Sequence, residues 1–297
     1  MLDVRRLRLL RELAHRGTIA AVAESLKFTA SAVSQQLSAL EREAGVPLLE
    51  RTGRRVTLTP AGQTLAQYAE TVLGQLEQAD AYLARARQGL GGALRIGAFP
   101  TAGQAIIPAA LLELARDHPG VEPMVREIEP ADVANALRSG ELDVALTHEY
   151  SFVSASAEPG VDTTALCTET MFLATLPGPT SIAGCHAEPW VTAMPGTLCH
   201  RMTIRACQAA GFTPRVRHQV DDFTATLALV RIGQGVALVP QLGATNPPPE
   251  VVLTPTLLHR RTRIAYRSGA SEHPAVTAIT RALQAAVPTG LLESTVD

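Results

Sequence analysis

One stretch of this 297-residue chain has apolar residues that recur alternately every four and every three positions. It begins at Thr59-Pro60, a favourable helix start, and stops at the glycine-rich segment 89–92. A heptad spacing kept for three repeats predicts a long helix with a seam for a second helix. The seam consists of Leu65, Ala69, Val72, Leu76, Ala79, Leu83 and Ala86. We therefore expect the chain to dimerise through residues 60–88; the alternative is a helix that packs on its own domain.

The long helix divides a chain that exceeds the usual size of one hydrophobic core. We predict a first domain over residues 1–59 and a linker helix with a flexible joint over 60–92. A second domain is predicted over residues 93–297.

Three short helices are predicted in the first domain, each preceded by an aspartate or threonine that can cap it. In the third helix Val33, Leu37 and Leu40 form one apolar stripe. The other faces carry hydroxyls and amides instead of the Glu and Lys typical of a solvated helix. Such side chains suit DNA, because Gln pairs with adenine through two hydrogen bonds and Ser can donate or accept.

We therefore predict that Ser31, Ser34 and Gln35 face bases or nearby phosphates. The secondary candidates, for contacts with the DNA backbone, are Thr29, Gln36 and Ser38. The alternative interpretation is a polar helix face that has no partner.

A basic hairpin is predicted after the third helix. Thr52-Gly53 is typical of its tip, and Arg54 and Arg55 beside the tip suit phosphates or a minor groove. Residues 1–60 hold ten basic and six acidic side chains, whereas the rest of the chain holds sixteen and twenty-two. A phosphate backbone therefore attracts only the first segment. Taken alone, the hairpin also fits an exposed charged turn.

Beyond residue 92, strands and helices alternate. This order predicts an α/β fold with a parallel sheet and crossover helices. Two sets of such units predict two lobes with a cleft between them. Lobe 1 is expected over about 93–166 and 269–297, and lobe 2 over about 167–268.

The sequence lacks the motifs expected of a membrane protein, a secreted protein, a metal site or an enzyme. No apolar run reaches the roughly 18 residues of a membrane span, and arginines interrupt the N-terminal apolar positions, unlike in a secretory signal. The histidines lack metal-binding spacing, and neither a nucleophile elbow nor a glycine-rich phosphate loop occurs. We therefore expect a cytoplasmic protein with no membrane partner, no metal, no cofactor and no catalytic residue.

Residues 32–62, AVSQQLSALEREAGVPLLERTGRRVTLTPAG, resemble the LysR-type transcriptional regulators. The family's recognition helix, its Gly-x-Pro-Leu-(Leu/Phe) turn and its Leu-Thr-Pro-Ala-Gly run occur here in order. The segments 94–97, 137–146 and 233–240 extend the likeness along the whole chain. One departure is Ala30-Ser31-Ala32, where many members carry a proline near the start of the recognition helix.

The resemblance implies a winged helix-turn-helix, a dimerising linker helix and an effector domain similar to periplasmic solute-binding proteins. It also implies tetramers that bend promoter DNA and a small ligand that alters the bend. The partners expected from it are double-stranded DNA, a small-molecule effector and further copies of the chain.

Two loops of the second domain are candidate effector contacts. Segment 99–104 joins the first predicted strand to its helix, and segment 195–197 precedes another helix. Free amides and the helix dipole favour an anion at such places, and strand ends in open α/β sheets bind ligands. We expect a carboxylate-bearing effector that contacts Thr101, Ala102, Gly103, Thr147, Gly196 and Thr197. The alternative is that the threonines at 101 and 197 only cap their helices.

Cys199 and Cys207 lie in a stretch that resembles the peroxide-sensing branch of the family, where two cysteines form a disulfide. Here both lie in one predicted helix, separated by about 12 Å of helical rise. That distance is too long for a disulfide unless the helix melts. We expect buried, unreactive thiols, with a redox pair as the alternative.

The sequence as a whole predicts a ligand-responsive, sequence-specific DNA-binding regulator. The rival hypothesis is a solute-binding receptor built on residues 93–297, with the N-terminal segment as an accessory dimerisation element. The basic hairpin and the N-terminus without an export signal argue against the rival.

Overall fold

The computed structural model describes residues 1–52, 55–86, 90–153 and 157–293. The first segment contains α1 (Val4–Arg16), α2 (Ile19–Leu26), α3 (Ala30–Ala44), β1 (Leu49–Thr52) and β2 (Arg55–Leu58). Each helix begins at the predicted cap, because Asp3, Thr18 and Thr29 all accept backbone N–H groups of the first turn. Gly17 and Gly45 end α1 and α3 in the left-handed conformation, which glycine adopts without steric cost.

The three helices share a small core to which Leu10, Val22, Leu37 and Leu40 contribute fully buried side chains. Leu48, at the start of the hairpin, is 1% exposed and packs into the same core. The predicted apolar stripe of α3 is thereby confirmed.

The long helix α4 (Pro60–Ala86) is packed against the first domain at its start and is partly exposed farther along. Its first turns pack on α1, where Ala66 and Ala69 are buried in the core of the three helices. Farther along, the predicted seam is exposed, with Val72 at 40%, Leu76 at 47% and Leu83 at 56%. Packing within the chain therefore accounts for the first turns and, at the buried Ala81, for one face of the later turns. The other face of the later turns leaves apolar side chains open in a single copy of the chain.

The second segment alternates strands and helices, as the sequence predicts. Its elements are β3 (Gly92–Ala98), α5 (Pro100–Ala105), α6 (Ile107–Asp117), β4 (Val121–Glu127), α7 (Pro130–Ser139), β5 (Val144–Tyr150), β6 (Val161–Thr175), β7 (Pro189–Thr192), α8 (Leu198–Ala209), β8 (Arg215–Gln219), α9 (Phe223–Arg231), β9 (Ala237–Pro240), β10 (Val252–Arg267), α10 (Pro274–Ala285) and β11 (Leu292–Glu293).

The main sheet has the strand order β11-β6-β10-β5-β3-β4, with β9 on β6. The predicted parallel pairing is confirmed for β3 with β4 and β5, but the sheet as a whole is mixed. Only β3 runs parallel to its neighbours β4 and β5, whereas β10 is antiparallel to both β5 and β6. Strands β5 and β6 flank β10 and are both antiparallel to it, so they run in the same direction as each other. The first half of β10 was not predicted as a strand, because Pro255 and the charged run 259–261 interrupt its apolar pattern.

Two long strands, β6 and β10, pair over thirteen positions and run through both halves of the second segment. One half contains β3, β4, α6 and α10, and the other contains β7, β8, α8 and α9. Among the described residues, no helix is long and apolar enough to cross a membrane.

Candidate DNA-binding face and effector cavity

The polar side chains of α3 lie along one exposed stripe. Residues 31, 34, 35 and 38 follow the i, i+3, i+4, i+7 spacing of a single helix face. Ser31, Gln35 and Ser38 are exposed and Ser34 is half-buried, while the opposite stripe is sealed in the core. The structure therefore brings four of the six helix candidates together on one open surface.

The other two helix candidates have partners within the protein. Thr29 caps α3 by accepting from the backbone N–H of Ala32, which leaves its hydroxyl proton free to donate. Gln36 lies at the edge of the stripe, and its Oε1 accepts from Arg6 Nε of α1 at 2.9 Å. Sequence reasoning missed Arg6, because a contact over 30 residues leaves no local pattern.

The hairpin is fixed to α3 by a carboxylate. Glu41 Oε1 accepts from the backbone N–H groups of Leu48 and Leu49, each at 3.0 Å. Gly62 of α4 lies against the carbonyl of Leu48 so closely that a Cβ there would overlap it. Helix, hairpin and linker are thus positioned as one unit.

The predicted wing has the expected backbone. Strands β1 and β2 pair antiparallel, with Thr52 opposite Arg55. Of the predicted tip, Thr52 ends β1 and Gly53 lies outside the described residues. Arg55 lies at the first position of β2, and Arg54 lies outside the described residues.

A cavity of about 680 Å³ lies between the two halves of the second segment. Four of the six predicted effector residues line it, namely Thr101, Thr147, Gly196 and Thr197. Ala102 and Gly103 do not line it, because segment 100–105 folds as the short helix α5 and Ala102 points into the core. Two walls of the cavity come from loops that precede helices, as the sequence predicts.

The two threonines differ in what their hydroxyls do. Thr197 caps α8 by accepting from His200 N, and it donates to the carbonyl of Met194 at 2.8 Å. The capping interpretation therefore holds for Thr197. Thr101 caps nothing and accepts from Arg260 Nη2 at 2.8 Å, so its own proton remains available to a ligand oxygen.

The floor of the cavity holds an ion pair that the sequence did not reveal. Arg260 Nε donates to Glu169 Oε1 at 2.6 Å, and the two residues are 1% and 0% exposed. Glu169 Oε2 also accepts from the backbone N–H of Leu242. The guanidinium carbon of Arg260 lies 4.9 Å from the ring centre of Phe99, a cation–π distance. Burial opposes the charge of Arg260, but Glu169 outweighs it and raises its pKa, so the guanidinium stays charged.

His148 lies beside this pair, edge-on to the rings of Phe99 and Tyr150. Burial, followed by the charge of Arg260, holds the pKa of His148 well below its ordinary value, so the ring is neutral at pH 7. Its Nδ1 is buried and has no hydrogen-bond partner among the described residues.

Acidic side chains occupy other parts of the cavity wall. Burial and the nearby charge of Asp221 raise the pKa of Glu129. Asp221 itself accepts from the backbone N–H of Met194 at 2.8 Å. The cavity therefore combines a cationic floor with carboxylates along its wall.

The two cysteines of α8 lie in different surroundings. Burial raises the pKa of the Cys199 thiol to about 11 and that of Cys207 to about 12. Cys199 lines the cavity, whereas Cys207 is fully buried in the second half of the domain, and both are free thiols. Both lie on one intact helix, as predicted.

Two family models match the chain in the order of its domains. The model of the bacterial regulatory helix-turn-helix protein, lysR family, matches residues 4–63, and that of the LysR substrate binding domain matches residues 87–288. The chain belongs to the LysR family. It is a LysR-type transcriptional regulator with a DNA-binding helix-turn-helix and an effector-binding domain, which confirms the resemblance and the predicted fold class.

Relatives and solved structures agree with this assignment. The LysR regulator is 29% identical over 252 residues to the transcriptional dual regulator GltC of Bacillus subtilis, covering 81% of each chain. The Corynebacterium glutamicum OxyR C206 mutant is 26% identical with a TM-score of 0.58, over 96% of this chain and 92% of that one. Full-length CbnR complexed with its target DNA, at 22% identity, has the same fold with a TM-score of 0.55 over 96% and 100% of the two chains. LysR regulators bind DNA and effectors and form oligomers, and these relatives are transcriptional regulators rather than enzymes.

Proposed function

We propose that this regulator acts in the cytoplasm, reads its promoter sites with the exposed stripe of α3, and responds to a carboxylate-bearing effector in the cavity. The observation that carries the DNA-binding part is the stripe formed by Ser31, Ser34, Gln35 and Ser38. It is open to solvent, although the rest of α3 is sealed in a core, and its amide and hydroxyl groups match base edges. Arg54 and Arg55 of the wing supply phosphate contacts in this proposal.

Substitution of Gln35 tests the assignment. Gln35→Ala should weaken binding to a duplex selected by the protein from a random library by about 1–3 kcal/mol and leave random DNA unaffected. Gln208→Ala, an exposed glutamine on α8, is the matched control. Equal losses on both duplexes, measured by fluorescence anisotropy, would refute Gln35 as a base reader.

Three hydrogen-bond donors around the cavity support the proposal that the effector carries a carboxylate. The Thr101 hydroxyl proton is uncommitted, and Arg260 stays charged beside it. The first turn of α8, which begins at Leu198 directly after Gly196 and Thr197, carries N–H groups without intrahelical acceptors. These groups come from both halves of the domain, so one bound anion would bridge them.

A thermal-shift screen with small carboxylic acids tests this part of the proposal. A ligand at a hundred times its Kd adds about 2.7 kcal/mol of stability. Thr101→Ser should keep the response to an acid found in the screen and Thr101→Val should lose it, with the exposed Thr213→Val as control. Stabilisation by amines alone, or an unchanged response of Thr101→Val, would contradict a carboxylate at this position.

We also propose the predicted domain division, with a dimer formed through residues 60–88 and tetramers built from it. The exposed apolar residues of α4 beyond position 72 support the dimer.

A further inference from the structure

Helix α7 has one end in the effector cavity and the other against the DNA-binding domain. The cavity is lined by the start of this helix, at Glu129, Pro130 and Ala131, and by Val133 and Ala134 one turn later. Ten residues later in the chain, about 15 Å along the axis, its last carbonyls meet α1. A single short helix therefore contacts both functional parts of the molecule.

Three arginines of α1 donate to the carbonyl oxygens at the C-terminal end of α7. Arg8 Nη2 bonds the carbonyl of Ser139 at 2.9 Å and that of Arg138 at 3.3 Å. Arg11 reaches the carbonyl of Arg138, and Arg16 that of Asn135, both at 3.4 Å. The carbonyls of Arg138 and Ser139 are among the last four of α7, which have no intrahelical donors and carry the negative end of the helix dipole, so cations are stabilising there.

Arg138 connects this contact to the cavity a second time. Its guanidinium donates to Pro159 O at 3.0 Å and lies 3.5 Å from Glu158 Oε2, and Glu158 lines the cavity. Arg138 is 4% exposed. A change at the cavity wall thus has two routes to the same carbonyls.

The contact is charged, buried and incompletely satisfied. Glu12 of α1 is fully buried between Arg11 and Arg16, at 2.8 and 2.9 Å. The Nε atoms of Arg8, Arg11 and Arg138 are buried and have no acceptor among the described residues. Unsatisfied polar atoms disfavour the docked arrangement, so it separates at a lower cost than a fully bonded interface would.

We propose that α7 transmits the state of the effector cavity to the DNA-binding domain through the contact of Arg8, Arg11 and Arg16 with its C-terminal carbonyls. The docked arrangement leaves the α3 stripe open, so DNA binding and docking are compatible. What docking fixes is the orientation of α3 relative to the effector domain. In a dimer this orientation sets the distance between two recognition helices. The inference rests on the proposed DNA-binding function.

Coupling between two sites is reciprocal, so DNA can serve as the probe while the effector is unidentified. The experiment measures hydrogen exchange at the amides of Val133 and Ala134, at the cavity end of α7, with and without a duplex selected by the protein. In the wild-type protein a saturating duplex should slow this exchange about fivefold, the lower end of typical coupling.

Arg8→Ala should abolish the slowing. Arg8 is the best variant because no ion pair with a carboxylate is described for it, so its removal strands no buried acid. Arg8→Gln is the second variant in case Arg8→Ala fails to fold. The exposed Arg5→Ala, on the same helix, is the control that should keep the slowing.

Fluorescence anisotropy on the same samples measures DNA binding, and it therefore separates failure of the role of α7 from failure of the proposed DNA-binding function. Slowing that persists in the folded Arg8 variants, or a wild-type protein that binds the duplex with no slowing, would overturn the role of α7 alone. A wild-type protein that binds no duplex would overturn the proposed function and this inference together.

Discussion

Arg260 and Glu169 form a buried ion pair beneath the cavity that we propose binds the effector, with Nε and Oε1 2.6 Å apart. They lie on neighbouring strands, β10 and β6, directly opposite each other in the register. Both side chains are buried, so each charge is stabilised chiefly by the other. The pair therefore gives the cavity a fixed cation whose stability depends on one carboxylate.

Removing that carboxylate should be costly. Glu169→Gln leaves Arg260 charged and uncompensated, and breaking a buried pair from one side costs about 3–5 kcal/mol. Urea unfolding should show this loss, while Glu122→Gln on the exposed surface of β4 should change stability by less than about 0.5 kcal/mol. Equal effects of the two variants would contradict a buried pair.

His148 should make the domain sensitive to acid. Its pKa is lowered in the folded protein by burial and Arg260, so the unfolded chain binds a proton that the folded chain does not. The stability from the neutral ring is present above pH 6.5 and falls by at most about 1.4 kcal/mol per pH unit below it. His148→Phe should flatten unfolding free energy against pH, unlike His186→Gln at an exposed site. Parallel curves for all three proteins would contradict this assignment.

The wing is expected to contact phosphates without reading sequence. Arg54→Ala should weaken binding to selected and random duplexes alike, and it should lower the slope of log K against log salt by about 1. Arg217→Ala, an exposed arginine on β8, should leave the slope unchanged. A loss confined to the selected duplex would mean that Arg54 reads bases.

Peroxide should leave this regulator unaffected. The thiolate is the reactive form, and the raised pKa values of Cys199 and Cys207 keep both as thiols at neutral pH. After treatment with dilute hydrogen peroxide, mass spectrometry should find four free thiols and anisotropy unchanged DNA affinity. A disulfide between residues 199 and 207 would require α8 to melt and would revive the redox alternative.

The open face of α4 should hold two copies together. Leu76→Glu places a charge in the predicted seam and should shift analytical ultracentrifugation from dimer or tetramer towards monomer. Gln67→Glu, on the same helix outside the seam, is the matched control. An unchanged mass for Leu76→Glu would place the interface elsewhere.

Local signals made much of this fold predictable. Caps at residues 3, 18 and 29 set the helix starts, and the stripe of Val33, Leu37 and Leu40 identified which face of α3 is open. The loops that line the cavity were predictable because ligand loops follow strands in α/β folds. These features depend on residues within a few positions of one another.

The floor of the cavity was not predictable for the opposite reason. Arg260 and Glu169 are 91 residues apart, and Arg8 meets Ser139 across 131 residues. A single sequence gives no signal for such pairs. The direction of β10 was missed likewise, because its partners are chosen by packing rather than by its own pattern.

The two long strands, β6 and β10, limit how far the walls of the cavity can part. Both strands are continuous from one lobe to the other. Wide separation of the lobes would therefore break the hydrogen bonds between the two strands, whereas a loop hinge would break none. The ladder slips register at Pro255/His259 and at Thr262/Arg263, the second of these close to Arg260. Bulges increase local twist. We therefore expect the cavity to close on a ligand by twisting of this shared pair of strands, with each lobe turning through a small angle.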